Sequence, residues 1–320
     1  MKMRNASLVV LVALACGAPM ASLACGGGDS NLPPPPPPPG TGVASASSSA
    51  ATASATATTP PPPPAPPPAL VLGAASDDPT PAPPVKFLAP TKDQVIPKDK
   101  AADFVVKLDV KNWQTAMGSQ HVHLILDNHP YKPIYDTKAP VKLSDLLGGD
   151  PLNEGEHVIV AFPSRANHES VKTKDALAML TFWVGKKDKP QIDLKKPMLI
   201  YSRPKGDYKG MMASHVIVDW QLVNDTLGEG KDHVHITVTG PGIADKLEAK
   251  AEKFGPPYFL DNLQDGAYQV KLELMSGAGA DMKVVPGAWN STTRTIHIDH
   301  NAPSDMAMPA ASGSVAPLKK

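Results

Sequence analysis

The sequence predicts an all-β fold of two tandem β-sandwiches, preceded by a long segment that cannot build a core. Three observations carry this. One strand occurs twice, as His121-Val122-His123-Leu124-Ile125-Leu126-Asp127 and, 112 residues later, as His233-Val234-His235-Ile236-Thr237-Val238-Thr239. Each copy alternates with period two, so Val122, Leu124 and Leu126 share one face and the histidines take the other. The preceding strand repeats at the same offset: Phe104, Val106, Leu108 and Val110 answer Val216, Val218, Trp220 and Leu222. Around these, each unit of about 100 residues reads as short strands separated by turn signals, the pattern of a sandwich.

Residues 1–25 carry Lys2 and Arg4, an apolar run over 6–15, and a small-residue stretch ending Ser22-Leu23-Ala24-Cys25. This reads as a secretory signal. Cysteine after small residues resembles the lipobox of bacterial lipoproteins, in which that cysteine becomes the lipidated first residue. Cys25 is favoured, because processing there leaves no stray thiol in an oxidising compartment. Cys16, after Ala13-Leu14-Ala15, is the alternative, and plain secretion after Ala24 is the other reading. Residues 26–84 hold 19 of the 37 prolines and no lysine, arginine or aromatic residue. Such a composition reads as a disordered spacer with polyproline II runs.

The two units span 85–185 and 197–300, with a charged connector over 186–196 and a disordered tail over 301–320. Leu152-x-x-Gly155-x-His157 answers Leu263-x-x-Gly266-x-Tyr268. The pattern resembles the corner entering strand F of immunoglobulin-like and fibronectin-type sandwiches, where a buried tyrosine bonds local backbone. Tyr268 and His157 are therefore expected to be structural corner residues. Ile243, Leu247, Ala251 and Phe254 share one helical face before Gly255-Pro256, which predicts a short helix in the second unit. In the first unit, Val158, Val160 and Phe162 face away from the core, with Ile125 and Trp183 on the same outer surface. An apolar patch of this kind is expected to be covered, by the second unit, by residues 128–147 or by a partner.

Net charge is zero and no basic block occurs, which disfavours nucleic acid. Both cysteines, Cys16 and Cys25, fall in the first 25 residues, so the folded part has no disulfide and no thiolate. There is no nucleophile elbow, no phosphate loop and no evident carboxylate pair, and no enzyme is indicated. The histidines are the one concentration of chemistry. His121 and His123 project to one side of their strand, about 6–7 Å apart. His168 lies in the loop after strand F, which reaches the same end of a sandwich. His121, His123 and His168, joined by Glu169, could meet as ligands for copper or zinc. The competing reading has these histidines bonding loop backbone and holding the strand end. In the second unit the corresponding loop offers Asp281 and Met282 beside His233 and His235, and His297 is a weaker candidate.

About 100 residues of the first unit resemble uncharacterised bacterial envelope proteins whose immunoglobulin-like domain carries Gly-His-x-His-Leu-x-x-Asp, then Leu-x-x-Gly-x-His, then a further histidine. Here these are His121 to Asp127, Leu152 to His157, and His168, with Gln120 where glycine is usual. The resemblance implies fold and compartment and brings no activity. The expectation is an exported lipoprotein, held to an envelope membrane by a lipid anchor, with two immunoglobulin-like sandwiches. Its expected role is a non-catalytic binding or scaffolding module for an unknown envelope protein or ligand. The alternative is a periplasmic copper- or zinc-binding protein.

Overall fold

Alternating apolar residues become paired strands throughout the computed structural model, which describes residues 63–303 except residue 278. The strands run β1 (Ala69–Leu72), β2 (Val85–Ala89), β3 (Val95–Ile96), β4 (Val105–Val110), β5 (His121–Leu126), β6 (Lys132–Ile134), β7 (Val141–Lys142), β8 (Gly155–Ser164) and β9 (Ala178–Val184). They continue as β10 (Met198–Arg203), β11 (Gly206–Lys209), β12 (His215–Val223), β13 (His233–Thr239), β14 (Leu247–Ala251), β15 (Tyr258–Asp261), β16 (Gly266–Ser276), β17 (Lys283–Val284) and β18 (Ser291–Asp299). One four-residue helix, Lys98–Ala101, and three short 3-10 turns complete the described elements.

The first unit packs a β2-β4-β7 sheet against a β3-β9-β8-β5-β6 sheet. In immunoglobulin lettering these are A-B-E and A′-G-F-C-C′. The second unit repeats the plan, with β10-β12-β15 opposite β11-β18-β16-β13-β14. In both, the short A′ strand runs parallel to strand G, β3 beside β9 and β11 beside β18. The chain is thus all-β, two immunoglobulin-like sandwiches in tandem. Each has its own core. Val122, Leu124, Leu126, Ile159 and Phe182 anchor the first, and Val218, Trp220, Ile236, Tyr268 and Leu272 the second.

Two local expectations are corrected. The predicted helix after strand C is β14, paired with β13 through Val234↔Ala251, Ile236↔Ala249 and Val238↔Leu247. Leu247, Ala249 and Ala251 face the core while Glu248 and Lys250 face solvent, so the stretch also satisfies period two. The unpaired edge of β13 decides between the two periods, because edge N–H and C=O groups need partners. The second correction concerns the spacer. Residues 69–72, placed in the disordered segment 26–84, form β1 and pair antiparallel with β15. Gly73 N then donates to the Pro257 carbonyl at 2.8 Å, and Leu70 packs on the second core. Ala-Leu-Val-Leu is one short apolar run inside a proline-rich composition, and β15 offers it a free edge where a D strand would lie. Beyond β1, Ser76 bonds the Glu169 carboxylate and Arg165 Nη2 donates to the Asp77 carbonyl at 2.6 Å. This strap therefore runs from the second sandwich to the first. Cys16, Cys25 and the rest of the predicted leader lie outside the described residues, as does the tail from residue 304.

The outward apolar face of β8 is covered by the second sandwich. Ile125, Tyr131, Val158, Val160 and Phe162 pack with Met198 and Ile200 of β10, and Ile192 and Leu194 of the connector seal one side. Trp183, expected on that face, is buried outside this cluster. The polar seam beside it centres on Arg294 of β18. Its guanidinium, stacked on Tyr201 at 4.2 Å, donates to the carbonyls of Asn128 and His129 in the first unit and of Tyr201 and Ser202 in the second. Asn128 is presented by a tight turn. Asp127 and Asn128 have φ of 48° and 57°, and His129 N donates to the Leu126 carbonyl at 2.9 Å, the type I′ geometry that joins β5 to β6. Asn128 Oδ1 accepts from Tyr201 N at 3.1 Å, tying that turn to β10.

Two substitutions separate these contacts in denaturant melts of the full chain. Val160→Lys buries an unpaired charge at the junction and is expected to cost about 3–5 kcal/mol. A cost below 1 kcal/mol would mean that this face is wetted in solution. Leu70→Ala removes the half-buried side chain of β1 and is expected to cost about 1–2 kcal/mol, below the roughly 2–5 of a fully buried leucine. An unchanged midpoint would show that the strap does not stay on β15.

Candidate metal centre

The site begins with strand geometry. His121 and His123 are two apart on β5 and share the face turned toward the junction, where both are fully buried. Trp113 Nε1 donates to the His121 carbonyl at 3.0 Å and fixes the start of the strand. Opposite them β8 ends, with His121 registered on Ser164 and His123 on Phe162. The loop after Ser164 folds straight back. Arg165 N donates to the Glu169 carbonyl, His168 N donates to the Arg165 carbonyl, both at 2.9 Å, and His168 takes φ of 68°. That left-handed backbone, which histidine tolerates better than most residues, aims the imidazole at β5.

The three rings converge. His123 Nε2 and His168 Nδ1 each lie 3.0 Å from His121 Nε2, and the three ligand atoms fall within 4.8 Å of one another. Three imidazole nitrogens around one metal at about 2.0 Å would stand roughly 3.3–3.5 Å apart, so small ring rotations reach that geometry. Two of the rings are held from behind, and the third meets a hydroxyl at its inward nitrogen. His121 Nδ1 is 2.8 Å from the Ser119 carbonyl and must carry the proton, which leaves Nε2 with its lone pair facing inward. His123 Nδ1 lies 3.1 Å from Ser202 Oγ, and the Tyr131 hydroxyl is 3.3 Å from His168 Nδ1. Tyr131 also stacks on His123, ring to ring at 3.4 Å.

Electrostatics keep the trio neutral. Burial pushes the His121 pKa down to about 4, helped by the charges of Arg203 and Lys205 and opposed by the Ser119 carbonyl. His168 is pushed down to about 2, by burial first and then by Arg203. His123 lies well below its ordinary value, again through burial first. Burial and the neighbouring Arg203 and Arg294 bring Lys205 itself down to about 8. The Arg203 guanidinium sits 5.0 Å and the Lys205 ammonium 4.1 Å from the centre of the Tyr131 ring. Lys205 Nζ donates to the Tyr131 carbonyl at 2.7 Å.

The expected ligands His121, His123 and His168 are brought together, and Glu169 is not among them. Its carboxylate is bound by Ser76 and lies 3.8 Å from Arg165, on the far side of the loop. There it lines a cleft of about 810 Å³ with Ser76, Arg165, Lys172, Asp225 and Phe254. Sequence reasoning missed Ser119, Tyr131, Ser202, Arg203 and Lys205. The last three belong to the other sandwich, and nothing in their spacing marks them. In the second unit His233 and His235 find no third ligand of the same kind. Among the described residues the first unit's trio is the single group of three histidine, cysteine or carboxylate ligands at metal-binding separation. His235 Nε2 is 3.1 Å from Glu248, and His297 Nδ1 is 3.2 Å from Asp207. Met282 lines a pocket of about 410 Å³ with His233 and His235.

The corner residues sit apart from this centre. The Tyr268 hydroxyl donates to the Pro241 carbonyl at 2.8 Å and accepts from Gln264 N at 2.9 Å, with the Gln264 carbonyl 3.1 Å away. His157 reaches the carbonyl four residues back in the same way, with Nε2 2.9 Å from the Asn153 oxygen. Its Nδ1 lies 2.6 Å from Asp127, whose other carboxylate oxygen accepts from Val158 N at 2.8 Å. Burial lowers the His157 pKa, but the hydrogen bond and charge of Asp127 outweigh it and the net shift is upward.

No family model matches the chain, and no curated protein does. Solved structures that overlap it include CBD12 from CALX1.2, at 8% identity over 67% of this chain and 99% of that one, with a TM-score of 0.19. Chicken CNTN1 FN1–FN3 domains overlap at 9% identity, covering 68% and 66%, with a TM-score of 0.20. The Bacteroides ovatus mixed-linkage glucan utilization protein SGBP-B overlaps at 10% identity, covering 67% and 70%, with a TM-score of 0.18. The order of the strands within each pair of sheets is what makes both units immunoglobulin-like.

The opposed shifts give a signed pH dependence for the metal-free full chain. Histidines 121, 123 and 168 have folded pKa values below the unfolded value near 6.5, so below that pH the unfolded chain binds more protons. Their contribution is complete above about pH 6.5 and is lost as pH falls, at up to roughly 1.4 kcal/mol per histidine per pH unit. His157 has the opposite sign. Its contribution is present below about pH 6.5 and is lost as pH rises through its elevated folded value. Melting temperature should therefore fall from pH 6.5 to 4.5, and less steeply in His168→Ala. Equal slopes in the two proteins would show that His168 protonates freely in the folded state.

Proposed function

We propose that this chain is a non-catalytic binding module of the bacterial envelope whose ligand is a transition-metal ion held by His121, His123 and His168. The observation that carries the reading is the convergence of three imidazole nitrogens from two separate segments, with His121 and His123 each backed by its own polar partner. Neutral imidazoles offer lone pairs at neutral pH without first losing a proton, which favours metal over a protonated histidine cluster. Three protein ligands leave a coordination position open, which suits an ion that is carried, sensed or passed on. The leader sequence supports export, with Cys25, or Cys16, as the lipid attachment point. The second reading, a scaffold whose histidines hold loop to strand by hydrogen bonds, is favoured by the contacts that the rings make with one another.

The test is a thermal melt of chelator-treated, detergent-solubilised full chain with and without copper or zinc. An ion at about a hundred times its dissociation constant should add about 2.7 kcal/mol to the wild type and nothing comparable to His168→Ala. Stabilisation that survives in His168→Ala would remove this centre as the binding site and leave the scaffold reading.

A further inference from the structure

The ligand type does not by itself choose the ion, because imidazole serves copper and zinc alike. The surroundings do. No carboxylate belongs to the trio, and none orients it: the Ser119 carbonyl and Ser202 Oγ stand behind His121 and His123, and the Tyr131 hydroxyl lies on the inward nitrogen of His168. Histidine zinc sites ordinarily draw negative charge from such partners. Here the carboxylate next to His168 is committed elsewhere, Glu169 to Ser76 and Arg165. The fixed charges close to the rings are positive, Arg203 and Lys205 above the Tyr131 ring that stacks on His123. Lys205 is also tethered to the Tyr131 backbone, so it does not swing away. Finally, His121 and His123 are fully buried, which leaves little room for the waters that complete the shell of a divalent ion.

We propose that the His121–His123–His168 centre selects a monovalent soft cation, copper(I), over zinc(II). The inference rests on the metal-binding reading above and adds the charge of the ion to it. Repulsion by a fixed positive charge scales with the charge of the ion, so a dication meets twice the opposition that a monocation does. Three neutral nitrogens also suffice for three-coordinate copper(I), whereas zinc needs a fourth ligand. The second sandwich thus sets the ion preference of a site whose ligands all come from the first.

The experiment measures both affinities on the full chain under anaerobic conditions, with bicinchoninate competing for copper(I) and a zinc chelator competing for zinc(II). Binding at the centre is taken as the difference between wild type and His168→Ala, which cancels binding elsewhere on the chain. Copper(I) is expected to bind at one equivalent and at least tenfold more tightly than zinc(II). In Lys205→Gln the zinc affinity should rise by the square of the factor for copper(I), for example about tenfold against about threefold. Lys205→Arg should leave both near wild type. Zinc within tenfold of copper(I), or tighter, overturns the selectivity while leaving the metal site standing. Equal shifts of both ions in Lys205→Gln overturn its electrostatic origin. Failure of either ion to bind the wild type defeats the metal reading itself.

Discussion

The seating of β10 on the outer face of β8 is the contact on which the rest depends. Val158, Val160 and Phe162 from β8 and Ile125 from β5 meet Met198 and Ile200, all fully buried. Each such side chain contributes about 1.5–3 kcal/mol by leaving water. An apolar surface alone would allow two sandwiches to slide or twist. The Arg294 guanidinium removes that freedom, because its donors reach carbonyls of both units and lose them if either shifts. Burial without a carboxylate pushes the Arg294 pKa down to about 10, which still leaves it charged at neutral pH. Carbonyl dipoles rather than a counter-ion hold that charge, and they do so only in one register.

That register carries the continuation of β10 to the histidines. Ser202 arrives behind His123, and Arg203 and Lys205 arrive above Tyr131. The same strand and the residues just after it therefore close the junction, orient one imidazole and add a positive field to the burial that keeps all three neutral. A perturbation of the apolar contact should be felt at the metal centre for this reason, with no separate pathway required.

The strap adds a second connection between the units. β1 completes the β15 edge of the second sandwich, and Ser76 and Asp77 then engage Glu169 and Arg165 in the loop that presents His168. The N-terminal segment thus braces the loop of the third ligand from outside while β10 braces His123 from within. Removing Glu169 from the ligand set and fixing the loop are the same event, since its carboxylate holds the strap.

Local pattern alone determined much of this protein. Period-two alternation and the repeat placed β4, β5, β12, β13 and β16 on the correct faces, because one buried side imposes that spacing on any strand. The trio was legible for a related reason: an i, i+2 pair must share a face, and a loop after strand F must return to the same end. What the sequence could not decide was set by open edges and by contacts distant along the chain. Residues 247–251 fit a helical and a strand period equally, and the bare edge of β13 chose the strand. Residues 69–72 became β1 because β15 lacked a neighbour, which no composition of the segment itself reveals. Glu169 stood next to His168 in sequence yet turned away, since a loop residue points where its partners lie. Ser202, Arg203 and Lys205 joined the centre only through the packing of two sandwiches, a relation between surfaces that no residue spacing encodes.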